Sequence, residues 1–244
     1  MKIYKFKDLT DEKNHPHFLQ IVLRNSIWCA RPDSLNDKKE FKFKLDYEPS
    51  PRTSQLLTEV VSRFRTTNFF PPHVSVPLSL KNKKLEEILA PIIDNMVQEC
   101  RNSIGIASFS VRNNDNRLWE EYGGKGNGAF IEINIPDHLV GQLYHWVRYV
   151  PQKIFHVDSF LESGLFPNRV IETYRNSLLT KTERNWAHEE EIRFISKSPD
   201  VNVFLDGHIS EVTFGPRVPS HTFEQLLSRI DYHCRENNIR ISKL

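Results

Sequence analysis

Glu189, Glu190 and Glu191 stand directly before Ile192-Arg193-Phe194-Ile195, an apolar/polar alternation that predicts a half-buried strand. On an extended backbone, side chains two apart share a face. Glu189, Glu191 and Arg193 are therefore expected on one side, with Ile192 and Phe194 on the other, toward a core. Two carboxylates at one strand mouth can stabilise a developing cation, or one can raise the pKa of the other. The plainer expectation is a solvated acidic turn in which Arg193 pairs with a glutamate at a surface, a contact worth about 0–1 kcal/mol. Spacing alone favours the plainer one. Glu191→Gln separates the two: a catalytic carboxylate loses turnover with little change in stability, whereas a structural ion pair loses unfolding temperature.

Other residues have the right types for chemistry, each beside a simpler role. Ser108-Phe109-Ser110 could present two hydroxyls to a site, but it is also an ordinary strand with Phe109 facing a core. Trp119, Tyr122 and Trp186 could stack on a ring, though large aromatics are more often core or boundary residues. Arg217 could neutralise phosphate or satisfy carbonyls of its own turn. His188 could act as a base, and a structural histidine is the commoner case. His15-Pro16-His17 has the look of a metal pair, yet no second ligand cluster accompanies it. Gly123-Gly-Lys-Gly-Asn-Gly128 resembles a phosphate cradle but runs from helix to strand, the reverse of the nucleotide fingerprints, so a turn is expected. Asp33 with Glu40 and Lys42 carries the residue types of a metal-dependent nuclease, at a spacing short for two strands.

The elements that must position these residues follow from periodicity. Ile3–Phe6 predicts a first strand, and Phe18, Ile21 and Val22 predict a helix after it. Strands are expected at Ser26–Ala30, Glu40–Tyr47, Ile104–Ser110, Ala129–Ile135, Leu143–Val150 and Ile154–Asp158. Later ones are expected at Val201–Leu205, Glu211–Phe214 and Ile239–Ser242. Short helices are expected at Asn116–Tyr122 and about Asn168–Thr180, and a longer one through Phe223, Leu226, Leu227, Ile230 and Tyr232. Residues 48–102 read as a helical insert, with one helix through Leu56, Leu57, Val60, Val61 and Phe64. A second covers about 82–101, kinked or restarted at Pro91. The insert is expected to cap one side of the sheet, its Lys81, Lys83 and Lys84 at a wet helix end. The fold class expected is α+β: a mixed, mostly antiparallel sheet covered by helices, in a single domain spanning 1–244.

Composition bounds the function. The chain has 244 residues, 39% apolar and 26% charged, with net charge +2, an ordinary globular balance that gives no support to a nucleic-acid binder. No apolar run approaches the roughly 18 residues of a membrane span. The N-terminal segment lacks an apolar signal core, and Cys29, Cys100 and Cys234 form no metal pattern, so a reducing cytoplasm is the expected compartment and no membrane partner is expected.

Several of these pieces together are similar to a bacterial family catalogued as domain of unknown function 2971. They are Ile3-Tyr-Lys-Phe6, Ile27-Trp-Cys-Ala-Arg-Pro32 with Leu35-Asn36-Asp37, Ser108-Phe-Ser110, and Leu118-Trp119 with Tyr122 and the glycine run. Lys181, Trp186, Glu189, Glu191, Arg193 and Phe214-Gly-Pro-Arg217 complete them. Where the family pattern continues Asn-Asp with Pro-Phe-Glu, this chain has Lys38-Lys39-Glu40, so only Glu40 stays in register. The order of pieces also resembles a divergent ADP-ribosyltransferase with a split sheet: a polar anchor on the first strand, a Ser-aromatic-Ser strand, then a late Glu-x-Glu. The resemblance implies NAD as substrate, no metal, and an unknown protein or nucleic-acid acceptor, in the setting of a bacterial toxin or phage-defence effector. It implies that Glu191 holds the ribose hydroxyl and the oxocarbenium charge, that Glu189 orients or deprotonates the acceptor, and that Ser108 or Ser110 positions Glu191 and the ribose. Trp119 or Tyr122 would stack on nicotinamide, Arg217 or Lys5 would meet the pyrophosphate, and the loop around Asn36 would touch the nucleotide. The first strand has Tyr4 and Lys5 where such enzymes carry His or Arg. A metal-dependent nuclease and a non-catalytic binding module remain the alternatives.

Overall fold

The strands run, in chain order, Lys2–Lys7 (β1), Ser26–Cys29 (β2), Lys44–Asp46 (β3), Gly105–Ser110 (β4), Ala129–Asn134 (β5), Tyr144–Trp146 (β6) and Arg148–Val150 (β7). They continue with Ile154–His156 (β8), Thr180–Thr182 (β9), Glu191–Ser196 (β10), Val201–Phe204 (β11), His208–Phe214 (β12) and Arg240–Lys243 (β13). The helices are His15–Arg24 (α1), Thr53–Phe64 (α2), Leu85–Ser103 (α3), Asn116–Glu121 (α4), Val157–Leu165 (α5) and Ser220–Glu236 (α6). The structure, a computed structural model, describes residues 1–35, 43–64, 85–165, 176–182 and 186–244.

Seven strands form the central sheet in the order β13-β12-β5-β1-β4-β10-β6. Every neighbouring pair is antiparallel except β12 and β13, which run parallel. The fold is α+β, with a mixed, mostly antiparallel sheet covered by helices. The alternation in β1 explains how two faces are filled. Ile3 joins the main core with Phe109, Ile131, Ile192 and Phe194, under α1 and α6, while Tyr4 and Phe6 pack on the other face against Leu118 of α4 and Phe130. Helix α1 buries Phe18, Leu19, Ile21 and Val22, and ends at Asn25 in the left-handed region (φ 47°). The Asn25 side-chain amide donates to the carbonyls of Leu205 (3.1 Å) and Gly207 (2.7 Å), which fixes the turn into β2.

One feature of the sheet creates the site. β1 pairs with β5 along its whole length, but with β4 at a single position, Tyr4 opposite Ser110. Beyond that bridge the two strands part. β4 instead pairs fully with β10, which sets Glu191 opposite Ser110 and Arg193 opposite Ser108.

The structure revises several expected elements. Leu143–Val150 is two strands: the Val147 amide still bonds Glu191 (3.0 Å), but the Arg148 amide bonds Leu179 (2.7 Å), and β7 pairs in parallel with β9. Ile154–Asp158 stops at His156, because Val157, Phe160 and Leu161 have helical spacing and open α5. Helix α3 is assigned through Pro91 without a restart. Among the described residues, the insert helices pack apart from the main core. Leu56, Leu57 and Val60 of α2 and Leu89, Ile93 and Val97 of α3 make a separate apolar cluster with α5. Of the strand expected over Glu40–Tyr47, Lys44–Asp46 is seen; residues 36–42, Lys81, Lys83, Lys84 and most of the helix expected near 168–180 lie outside the described residues. The glycine run is a turn between α4 and β5, with Gly124 (φ 57°) and Gly126 (φ 87°) in the left-handed region.

Candidate functional site

Glu189 reaches the site from a turn, not from the strand. Ala187–Glu189 form one 3-10 turn, Glu190 sits in the left-handed region (φ 40°), and only then does β10 begin at Glu191. The expected shared face still arises, because the turn folds Glu189 back beside Glu191. Ser110 holds it there: its hydroxyl donates to the Glu189 carbonyl (2.7 Å) and accepts from the Arg112 amide (2.9 Å). The Glu191 amide donates to the Tyr149 hydroxyl (2.9 Å). Glu190 turns outward and pairs with Arg112 at the surface.

The two inward carboxylates share two cations. Lys181 Nζ lies 2.6 Å from Glu189 Oε2 and 2.7 Å from Glu191 Oε2. Arg193 grips Glu191 with Nε on Oε1 (2.6 Å) and Nη2 on Oε2 (3.0 Å), and donates Nη1 to the Leu178 carbonyl. Tyr122 donates its hydroxyl to Glu189 Oε1, and the Trp186 ring lies under Lys181 at 4.8 Å. Exposure rules out a surface pair: Arg193 is 1% exposed, Glu189 and Glu191 4%, and Lys181 5%. The four charges balance.

The environment pushes the two carboxylates apart. Burial opposes ionisation of both. At Glu191 the charges and hydrogen bonds of Arg193 and Lys181 outweigh burial and hold the carboxyl below the usual range. At Glu189 burial prevails over Lys181, Glu191 adds like-charge repulsion, and the pKa rises. Burial, reinforced by the Glu189 charge, raises the Tyr122 phenol, which keeps it a neutral donor.

A cleft of about 270 Å³ opens over this network where β1 and β4 part. Because the strands splay, both faces of β1 reach it, Tyr4 and Phe6 from one and Lys5 and Lys7 from the other. Lys5 Nζ spans the gap to the Ser108 carbonyl (2.7 Å). Burial, then the neighbouring Lys7 charge, lower the Lys5 pKa to about 7; burial also lowers Lys7. With the four floor charges balanced, Lys5 and Lys7 are the further cations that line the cleft.

The cleft gathers most of the residues expected from sequence: Glu189, Glu191, Ser108, Ser110, Tyr4, Lys5 and Tyr122 all line it. Their roles differ in detail. Ser110 positions the backbone of Glu189, not Glu191. Tyr4 offers its ring while its hydroxyl donates to Glu132 (3.1 Å), and burial, then Glu132, raise its pKa to about 12. Trp119 does not line the cleft: it packs edge-on against Phe6 at 5.2 Å and tilted against Phe130 at 5.8 Å. Arg217 is not there either; it donates to the Lys125 carbonyl (3.2 Å) in the glycine turn before β5. Asn36 lies outside the described residues, as do Glu40 and Lys42, and Asp33 pairs with Arg31 (3.4 Å) and does not itself line the cleft. Sequence reasoning missed Tyr149 and Lys7, weighed His17 only as half of a metal pair, and gave Trp28 and Lys181 no role at the site. The Lys5/Lys7 alternation on β1 was the one available signal. Among the described residues no group of three or more His, Cys, Asp or Glu side chains could hold a metal ion, and no helix is long and apolar enough to cross a membrane.

Comparison with family models, curated proteins and solved structures returns no match for the chain.

Proposed function

We propose that the cleft binds NAD and breaks its bond between ribose and nicotinamide, passing ADP-ribose to an acceptor or to water. One observation carries the reading: the first strand, the Ser-Phe-Ser strand and the Glu-bearing strand are adjacent (β1, β4, β10), and their polar residues converge on one cleft. These are the three pieces that the resemblance to ADP-ribosyltransferases singles out.

The chemistry uses the difference between the carboxylates. When the glycosidic bond breaks, its electron pair leaves with nicotinamide, whose ring loses its positive charge, and the ribose carbon becomes cationic. Glu191, held ionised by Arg193 and Lys181, supplies a fixed anion and an acceptor for a ribose hydroxyl. Glu189, with its raised pKa, takes the proton as the acceptor's oxygen or a water attacks that carbon. Lys5 and Lys7 face the anionic bridge of the dinucleotide. Because Lys181 and Arg193 already balance both carboxylates, the floor contributes directed acceptors more than net negative charge.

The test follows nicotinamide release and transfer of labelled ADP-ribose, with and without excess EDTA. Turnover that continues in EDTA and is lost in Glu189→Gln supports the reading. No heat on titration with NAD and no nicotinamide release would sink it, and nucleic-acid cleavage that depends on Mg²⁺ would put a nuclease in its place.

A further inference from the structure

The mouth of the cleft, opposite the carboxylates, carries a second set of groups, of which the proposed chemistry uses only Lys7. Trp28 of β2 lines the cleft, yet 37% of it stays open to solvent, unusual for so large an apolar side chain. His17 of α1 stands beside it, ring centroids 6.2 Å apart and planes at 58°. Lys7 is the cation of this end, close enough to His17 that its charge, after burial, lowers the imidazole pKa. Three residues at about 3.3 Å each put Lys7 roughly 10 Å along β1 from the Tyr4–Ser110–Glu191 row. The acids that line the cleft, Glu189 and Glu191, belong to that far row.

An open indole face beside His17 and near a cation, with no acid among the described residues that line this end of the cleft, fits a planar ring that carries phosphate. Every nucleobase has a π-face that stacks on Trp, and the phosphate seeks the lysine. We propose that Trp28, flanked by His17 and Lys7, is a subsite for the base–diphosphate end of a nucleotide, and that it sets the orientation of the ligand in the cleft. The inference rests on reading the cleft as a nucleotide site, and goes beyond it by assigning the base to Trp28 and not to Trp119 or Tyr122. Trp119 is packed on Phe6 and Phe130, and the Tyr122 hydroxyl is held by Glu189.

Two probes divide the subsite: ADP, which has a base, and inorganic pyrophosphate, which has none. Trp28→Leu should weaken ADP binding by roughly tenfold or more, the range of one base–aromatic stack, and leave pyrophosphate within about twofold. Trp28→Phe keeps an aromatic face and should recover most of the ADP affinity. Lys7→Met should weaken both probes. Of the four tryptophans, only Trp28 lines the cleft, so ADP should quench fluorescence in the parent protein and not in Trp28→Leu. Unchanged ADP affinity in Trp28→Leu overturns the subsite, as does the absence of any ADP binding to the parent. If ADP binding follows Trp28 but NAD is never cleaved, the subsite stands and the glycosidic chemistry falls. If NAD is cleaved with an unchanged KM in Trp28→Leu, the chemistry stands and the subsite falls.

Discussion

Replacing Glu191 by Gln keeps the side chain's size and removes one charge, so its consequence can be worked from the contacts. The carboxylate takes three short contacts, two from Arg193 and one from Lys181, in a setting 4% exposed. In the variant two buried cations are left to share Glu189. Removing one partner of a buried pair costs about 3–5 kcal/mol. In a chain of 150–250 residues, about 2–4 °C of midpoint is lost per kcal/mol, so unfolding should come roughly 6–20 °C lower. This departs from the sequence-based expectation that a catalytic Glu191 would be replaceable at little cost. Turnover and stability should now fall together.

The assay is thermal unfolding by circular dichroism at neutral pH, in low salt and in about 0.5 M salt, where exposed charges are screened and buried ones much less so. The deficit should survive the salt. Its pH dependence has a definite sign. Glu191 is held below the ordinary glutamate value of about 4.3, so its stabilisation is fully present above that pH and is lost as pH falls through the lower folded value. The gap between parent and variant should therefore hold from pH 7 to about 5 and close only in stronger acid. A midpoint within about 2 °C of the parent, or a gap erased by salt, would mean that Glu191 is not a buried anion, and the account of the site would fail with it.

Glu189→Gln should lower the midpoint much less than Glu191→Gln. Its folded pKa is raised, so the folded state holds the extra proton above the unfolded value, and stability falls as pH climbs through that window; the amide should flatten that slope. Lys5→Met should weaken pyrophosphate binding, measured by calorimetry, about fivefold or more at pH 6, since a charge-assisted hydrogen bond is lost. The parent's affinity should decline as pH rises past the Lys5 pKa of about 7, displaced upward by the bound anion, and the variant's should not follow. Tyr122→Phe removes a donor to Glu189, so the Glu189 pKa should rise further and the acid limb of a pH–rate profile should move to higher pH, for a stability change under about 1.5 kcal/mol.

Periodicity was enough for the framework of the site and too local for its floor. Ile3–Phe6, Ser108-Phe-Ser110 and Ile192–Ile195 each show an alternation that a strand must satisfy, and each is a strand. The shared face of Glu191 and Arg193 follows from that alone. Glu189 arrives by a left-handed Glu190, a conformation that residue type does not announce in the absence of Gly or Asn. Lys181 could not be seen as its partner, because its position depends on β9 pairing in parallel with β7, a contact between segments some thirty residues apart. The same pairing broke the apparent strand Leu143–Val150 at Val147. Trp28 and His17 look like any surface aromatic and histidine until the parting of β1 from β4 opens a cleft between them and the carboxylates.

Two costs in this fold coincide at one place. A pair of strands that could bond along their length stops at the Tyr4–Ser110 bridge, and the Lys5 amine, not a neighbouring strand's ladder, spans the gap to Ser108. Directly beneath, four charged side chains are buried in a network that well-packed apolar residues could replace at equal or better stability. The main core between α1, α6 and the strands is a separate apolar cluster. Local rules broken together, next to a cavity, are the pattern that a binding or catalytic site produces. The network also explains how a buried Glu191 can remain an anion, since Arg193 and Lys181 repay the desolvation that would otherwise protonate it. Lys5 and Lys7 stand outside that balance, and burial lowers the pKa of both.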